Sequence, residues 1–537
     1  MKQGTALFTG LVLAILVLAP LLLIAAEAFQ PQPSSSPGAV SALQSLGQDR
    51  YFWEAFGGTL RLAGLATLFA VPVGLGIALL MNYAPPPARR LWEPLVLVPF
   101  LMPPYLTAVA WSLLAGPMGL IQQNVHAFGM PLESFLYSLA GMAAVMALHL
   151  SPLSYVLLRA ALGNSDPALN KAARIHGAGA MRAFATAILP GILPAMAAAA
   201  LLIFLASAEE FGVPAVLSSY AGIRVLSTTV EEAMNVWPVD LPRAAAVGLI
   251  LSLLGFVAWV LYRPLAKDNR GQVGRRESTP CWWSLTPILA FVLLATLLPI
   301  GAITAVSLEK AITAGFHPAN LTWRHYGHIL SSGSSAFLAL RTSILLSLSV
   351  AIGTMLLALL SATVVHRGGA GSRWIDLLAT LPNAFPGVVL AVGLILFWNA
   401  PWNPLPLYGH LAILGVAYAT VTFPYAFRHA RTGLSQVPAV LEQAGRVHGA
   451  SPFGVFWRIR VPLAWPLLIS GATVVFALSM RELVTSLLLQ PPGVQVISTY
   501  VFNQFQQGNM GDGMAMSVIG VLSSALILGL ARGTLQR

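Results

Sequence analysis

Charge is what this chain has least of. Of its 537 residues 9% are Asp, Glu, Lys or Arg and 57% are apolar, and the mean hydropathy is +0.77. Soluble domains carry about a quarter charged residues, so water is not the main solvent of this sequence. Cysteine is nearly absent as well. Cys281 stands alone, which excludes an intrachain disulfide and any cysteine-based metal cluster. The lysines are Lys2, Lys171, Lys267 and Lys310, and none lies in a Gly-x-x-x-x-Gly-Lys-[Ser/Thr] loop, so no ATP site of that kind is expected. No nucleophile–base–acid set stands outside the apolar stretches, which argues against a membrane enzyme.

What the sequence does have is long apolar runs. Backbone groups in lipid must pair internally, which leaves helices or closed barrels. The runs are uniformly apolar over about twenty residues instead of alternating, so they are helices. The expected fold is an all-α polytopic membrane protein with about twelve spans, six in each half. In the first half these fall near 7–26, 60–80, 95–114, 135–158, 192–207 and 243–261. In the second they fall near 285–306, 340–364, 375–398, 410–427, 467–480 and 514–530. Lys2, the first run and Ala26-Glu27-Ala28 resemble a cleavable secretory signal. At about twenty residues the run exceeds the usual signal core, and its loss would upset the charge asymmetry described next, so an uncleaved first helix is expected.

The net charge of +11 invites a nucleic-acid reading, but the basic residues gather on alternate loops. Arg89, Arg90, Lys171, Arg174, Arg263, Lys267, Arg367, Arg373, Arg428, Arg446 and Arg458 fall on one predicted side, whereas Arg50, Arg224, Lys310 and Arg324 fall on the other. The positive-inside rule then puts both termini in the cytoplasm, with lipid and not nucleic acid as the surrounding partner.

The chain also repeats itself. Asn170-Lys171-Ala172-Ala173-Arg174-Ile175-His176-Gly177 is answered by Glu442-Gln443-Ala444-Gly445-Arg446-Val447-His448-Gly449. The glycines are 449 − 177 = 272 residues apart, and so are the closing prolines Pro190 and Pro462. Arg159 and Arg431, and Glu210 and Glu482, keep the same offset, while Pro99 and Pro103 answer Pro382 and Pro386. The division expected is a first half over 1–262 with its polar loop at 164–190, a basic linker over 263–281, and a second half over 282–537 with its loop at 435–462. Duplication in one orientation implies a pseudo-two-fold axis along the membrane normal, with a path for cargo between the halves. In each loop a short helix is expected to end at the glycine in left-handed geometry, with a second short helix leading to the proline. Asp166-Pro167 and Ser451-Pro452 read as cap and first-turn pairs.

These loops resemble the cytoplasmic loop of ABC-importer permeases, Glu-Ala-Ala, three residues, Gly, nine residues, Ile-x-Leu-Pro. Here the motif reads Lys171-Ala172-Ala173, Gly177 and Ala187-Ile188-Leu189-Pro190, then Gln443-Ala444-Gly445, Gly449 and Ile459-Arg460-Val461-Pro462. Lys171 and Gln443 replace the acidic residue, with Glu442 beside the latter. Ser207-Ala208-Glu209-Glu210-Phe211-Gly212 and Met480-Arg481-Glu482-Leu483, each followed by a Gly-x-x-Val-[Leu/Ile]-Ser-Thr segment, look like fused permeases of the ferric iron importer family.

The resemblance implies the type I ABC importer permease fold in a bacterial inner membrane. It also implies a periplasmic solute-binding protein and a cytoplasmic ATPase dimer that hydrolyses ATP, this chain binding no cofactor itself. Lys171, Ala172, Ala173, His176, Gly177, Pro190, Gln443, Ala444, Gly445, His448, Gly449 and Pro462 would then form the ATPase-coupling surface. Glu209, Glu210 and Glu482 are candidates for the translocation path, since intramembrane carboxylates mark ion routes and oxygen ligands suit Fe(III). The alternative is a carboxylate at the water boundary, or Glu482 paired with an arginine of a neighbouring helix, Arg481 adjoining it; no metal site is assigned. His176 and His448 are expected to cap helix ends or touch the ATPase, and His149 to make a polar contact between helices. Permeases for thiamine, aminoethylphosphonate, sulfate or polyamines share the scaffold. An ion-coupled secondary transporter would explain the spans but not the paired loops.

Overall fold

The computed structural model describes residues 2–30, 41–117, 119–124, 126–164, 172–265, 280–315, 317–368 and 371–535. Among these the chain is built of helices, with one isolated bridge between Glu309 and Leu321. Helix α1 (Gly4–Ala28) is followed by α2 (Arg50–Tyr83), α3 (Arg89–Leu101), α4 (Pro104–Ala115) and α5 (Leu139–Asn164). Then come α6 (Met181–Glu209), the short α7 (Gly212–Ala221) and α8 (Leu226–Asn235), and α9 (Leu241–Leu265). The second half repeats the order with α10 (Leu285–Ser307), α11 (Ser335–Arg367), α12 (Ser372–Thr380), α13 (Gly387–Trp398) and α14 (Ala412–Ser435). It ends with α15 (Ala439–Val447), α16 (Pro452–Met480), α17 (Val484–Leu489), α18 (Ile497–Gln506) and α19 (Met510–Leu535). Residues 266–279 of the expected linker lie outside the described residues.

By length and composition 9 of the described helices can cross a membrane, or 10 if a bent pair counts as one. The expected span at 514–530 lies within α19, of which the span search covered only Met510–Ser523, and those near 95–114, 375–398 and 410–427 depart from unbroken apolar helices for physical reasons. The stretch 95–114 is two helices, because Met102 precedes Pro103 and takes an extended conformation that no helix can continue. Its counterpart in the second half is bent by 115° between Ala384 and Gly387, where Phe385 is extended before Pro386. Helix α14 is long enough but carries Arg428 and Arg431, and it buries Tyr418, Thr420 and Thr422 inside the bundle instead of facing lipid.

The spans expected at 192–207 and 467–480 begin earlier, at Met181 and Pro452, because the second arm of each polar loop runs into its span without a break. Pro190 and Pro462 therefore lie inside continuous helices. A proline lacks the N–H and presses its ring on the carbonyl four residues back. Each helix widens just before it: Phe184–Ile188 and Phe456–Arg460 are π-turns, in which the N–H of Leu189 donates to Phe184 O and that of Val461 to Phe456 O. Ala14–Leu18 before Pro20 and Leu293–Leu297 before Pro299 solve the same problem in α1 and α10.

The leading helices of the two halves are exchanged. Helix α1 packs on α11, α12 and α13 of the second half. There Gly393 leaves room for it, since a Cβ at that position would stand 2.8 Å from both Pro20 O and Ile24 Cδ1. Reciprocally, α10 lies against α3 and α4, and Thr296 Oγ1 donates to Leu95 O at 3.1 Å. One buried core consequently runs through both halves. Apolar burial does not drive helices together in lipid, so close approach and polar contacts must. Gly74 of α2 meets Ser154 of α5, and Gly471 of α16 meets His429 of α14, at distances that admit no side chain.

Ion pairs clasp the bundle at both ends. Near the repeated loops Arg159 pairs with Glu93 and, in the second half, Arg431 pairs with Asp376. At the opposite end Arg243 meets Asp49 at 2.6 Å, while Asp512 accepts from His325 Nδ1 at 2.6 Å and His328 Nδ1 at 2.9 Å. Thr59 Oγ1 and Ser343 Oγ take the N–H groups that open α8 and α18, at 2.8 and 2.7 Å.

Overpacking the Gly393 contact tests the exchange. Gly393→Val is expected to destabilise the bundle by about 1–3 kcal/mol, read as a lower midpoint of thermal unfolding in detergent. An unchanged midpoint would mean that α1 does not pack on α13.

Candidate functional site: the paired elbows and the central carboxylates

Each polar loop ends its first helix in the same way. In the first copy His176 N–H donates to Ala172 O at 3.1 Å, Gly177 N–H to Arg174 O at 3.0 Å, and Ala178 N–H to Ala173 O at 3.0 Å. In the second, His448 N–H donates to Ala444 O, Gly449 N–H to Arg446 O and Ala450 N–H to Gly445 O, at 3.0, 3.0 and 2.9 Å. The long bond that reaches past the glycine is the Schellman closure. Gly177 and Gly449 have φ of +80° and +79°, and a Cβ on either would meet nothing within 4 Å. Glycine is required here by backbone conformation and not by space. The elbows are thus one structure made twice.

Of the residues expected on the coupling surface, Ala172, His176, Gly177, Pro190, Gln443, Ala444, His448, Gly449 and Pro462 are exposed. Ala173 is half-buried, Pro190 and Pro462 sit behind the π-turns, and Lys171 lies outside the described residues, as does the expected Asp166-Pro167 cap. The Ser451 cap is formed, its Oγ accepting from Gly454 N–H at 3.1 Å. Gly445 faces inward: a Cβ there would stand 2.6 Å from Ile459 Cδ1, so glycine lets α15 lie flat on the π-turn of α16. Glu442 does not reach outward in place of the missing acidic residue. It is buried and held by both Nε and Nη2 of buried Arg460, which staples α15 to α16. At the offset of 272 the first elbow has Ile188 where the second has Arg460, so this staple is one-sided.

The most exposed apolar residues of the elbows were not singled out by the motif. Ile175 and Val447 are 83% and 85% exposed, and Met181 and Phe453 are 79% and 61% exposed. Both pairs keep the offset of 272, which is the signal that could have found them. Matched apolar knobs on otherwise polar loops suit a partner with two equivalent pockets.

Glu209 ends α6, and Glu210 and Glu482 follow the ends of α6 and α16. Glu210 Oε1 accepts the N–H of Gly212 at 2.7 Å, capping α7. Glu482 Oε1 accepts from Thr485 N–H at 3.1 Å and Thr485 Oγ1 at 3.2 Å, capping α17. Their carbonyls are also matched: Ser227 Oγ donates to Glu210 O at 2.8 Å, and Ser498 Oγ to Glu482 O at 2.6 Å. Helix-breaking carboxylates can therefore sit inside the bundle as local caps. Glu210, Glu482 and Arg481 lie within electrostatic reach of one another, two from the second half and one from the first. Arg481 is not spent on its neighbour Glu482. Its Nη1 donates to Phe100 O and Leu101 O, each at 3.1 Å. Glu209 stands apart, beside Gly255. His149 is buried near the Phe100 ring and within hydrogen-bonding reach of the Pro99 backbone of α3, a polar contact between helices, while its Nδ1 finds no partner among the described residues. Among the described residues no group of three or more His, Cys, Asp or Glu is placed to hold a metal ion.

A doubled helical bundle with twin elbows at one end and charged residues where its halves meet is the architecture of a membrane transport permease. The chain belongs to the family described as binding-protein-dependent transport system inner membrane component, whose model matches residues 70–271 and again 354–536. It is a multi-pass inner membrane component of such a system. Over 98% of its length it is 25% identical to the ferric transport system permease protein FbpB of Actinobacillus pleuropneumoniae, covering 78% of that protein. It is 24% identical to the Fe(3+)-transport system permease protein FbpB 2 of Haemophilus influenzae over 88% of each chain. A putative 2-aminoethylphosphonate transport system permease protein, PhnV of Salmonella paratyphi A, is 26% identical over 43% of this chain and 86% of its own length.

The one-sided staple gives a local test. Glu442→Gln leaves the Arg460 guanidinium buried without its counter-charge, a change that costs about 3–5 kcal/mol. Amide exchange over 439–450 should accelerate while that of the first elbow over 172–178 stays as it was. Equal exchange in both elbows would show that the pair does not hold α15.

Proposed function

We propose that this chain is the membrane permease of an ATP-driven, binding-protein-dependent importer of ferric iron. The observation that carries the cargo assignment is coverage. The ferric permeases align along nearly the whole duplicated chain, whereas the phosphonate permease, a shorter protein matched over 86% of its own length, answers to less than half of it. In this reading the elbows face the cytoplasm and dock a dimer of ATPase subunits, one per elbow. Both termini are cytoplasmic, and a periplasmic binding protein delivers cargo to the opposite face. The chain hydrolyses nothing itself. ATP-driven closure of the partner dimer draws the elbows together and rocks the halves, so that nucleotide biases an alternating-access equilibrium. Glu209, Glu210 and Glu482 lie along the route, and their oxygens suit a hard cation in transit.

The similarity to PhnV supports a second reading, the same permease mechanism serving an aminoethylphosphonate-like anion. Uptake of radioactive iron and of phosphonate by proteoliposomes holding the full complex decides between them. Uptake driven by an ion gradient without ATP would replace both with a secondary transporter.

Docking has its own test. Ile175→Asp together with Val447→Asp should reduce co-purification of the ATPase by roughly a hundredfold, as expected for the loss of two buried anchors, with membrane insertion intact. Gly177→Val and Gly449→Val should act in the same direction by distorting the elbow. Normal co-purification of these variants would remove the elbows from the coupling surface.

A further inference from the structure

Helix α3 stops at Leu101, before the extended Met102 and two prolines that cannot donate, which leaves its last carbonyls without intrahelical donors. Arg481 supplies the donor from the other half of the molecule, through Nη1 to Phe100 O and Leu101 O. The pseudo-symmetry makes a matching contact geometrically available on the other side. Position 481 corresponds to 481 − 272 = 209, and Leu101 corresponds to 101 + 283 = 384 by the offset of the proline pairs. The two counterparts do come together. A Cβ placed on Gly255 would stand 2.8 Å from Glu209 Oε1 and 3.3 Å from Ala384 O, so both oxygens border one small spot. Here, however, the residue is a glutamate. Its Oε1 finds no partner among the described residues, and a glutamate, unlike a guanidinium, carries no fixed donor for a carbonyl.

From this we infer that Arg481 is a positioning residue of the transport step: a single bolt that joins the two halves across the route, with no equivalent on the Glu209 side. A guanidinium is charged in every state of the cycle, so its two positions differ only in acceptor. With the halves together it holds the Phe100 and Leu101 carbonyls. When they part it exchanges these for the carboxylates of Glu210 and Glu482, already within its electrostatic reach. The Phe100 and Leu101 carbonyls are held only with the halves together, so the bolt favours that arrangement and sets the balance between the two, while the exchange keeps the guanidinium partnered in the other. The inference rests on the chain being an ATP-driven permease.

The experiment uses the complete complex of this chain, its ATPase and its binding protein in proteoliposomes. Arg481→Gln is expected to raise ATP hydrolysis in the absence of binding protein by roughly tenfold, the effect of shifting a two-state balance by about 1.4 kcal/mol. Iron moved per ATP should fall, and amide exchange over 100–108 should rise. Arg481→Lys, which keeps the charge and a donor, should retain part of the coupling. The double variant Glu209→Arg with Arg481→Glu places the guanidinium beside the Ala384 carbonyl and should restore low basal hydrolysis by bolting the opposite side. Unchanged basal hydrolysis and exchange in Arg481→Gln overturn the inference. So does a double variant as uncoupled as Arg481→Gln, which would reduce Arg481 to a local structural contact. If the unaltered complex fails to couple uptake to ATP, the functional reading fails instead, and exchange over 100–108 still decides whether Arg481 holds α3.

Discussion

Every helix that stops inside this bundle exposes backbone groups that lipid cannot satisfy, and the rest of the structure is arranged around supplying them with partners. Four such stops matter. The broken end of α3 is taken by Arg481, and the start of α8 by Thr59. The starts of α7 and α17 are taken by Glu210 and Glu482. The prolines are accommodated differently, by a π-turn one step earlier that moves the affected carbonyl aside. Polar residues in these spans are thus explained first by backbone need. Whatever they do for cargo is built on groups the fold already required.

The two halves meet the same need with different side chains, and the differences fall where the halves must behave differently. Both elbows close through a glycine with positive φ, but only the second is stapled by Glu442 and Arg460. Both halves break their third span, but only one break receives a cation. Fusion into one chain permits this, because duplicated residues are free to diverge when each copy sees a fixed neighbour.

Much of the fold was legible because duplication repeats its punctuation. The elbow glycines, the closing prolines and Arg159 with Arg431 could be paired by offset alone. Glu93 and Asp376 were overlooked, although 376 − 93 = 283 is the offset of the nearby prolines. Their partners were recognised under an offset of 272, and a loop of different length lies between. The broken spans were not legible because hydropathy averages over a window and does not register a single extended residue before proline. The contact of Arg481 with Phe100 and Leu101 spans some 380 residues and has no local trace. Glu442 could be seen but not oriented: sequence places it on the elbow, and only packing shows that it turns inward to Arg460.

The exchanged leading helices have a consequence for biosynthesis. Pro20 and Ile24 rest against Gly393, so α1 enters the bilayer long before its resting place has been translated. At ordinary rates of elongation that interval is roughly 20–75 s. During it the nascent first helix must remain an orphan in the lipid, apolar enough to persist there and small enough on one side to dock later. Linking the halves in one polypeptide keeps that orphan near the ribosome that is still making its berth, a service that two separate gene products would have to find by diffusion.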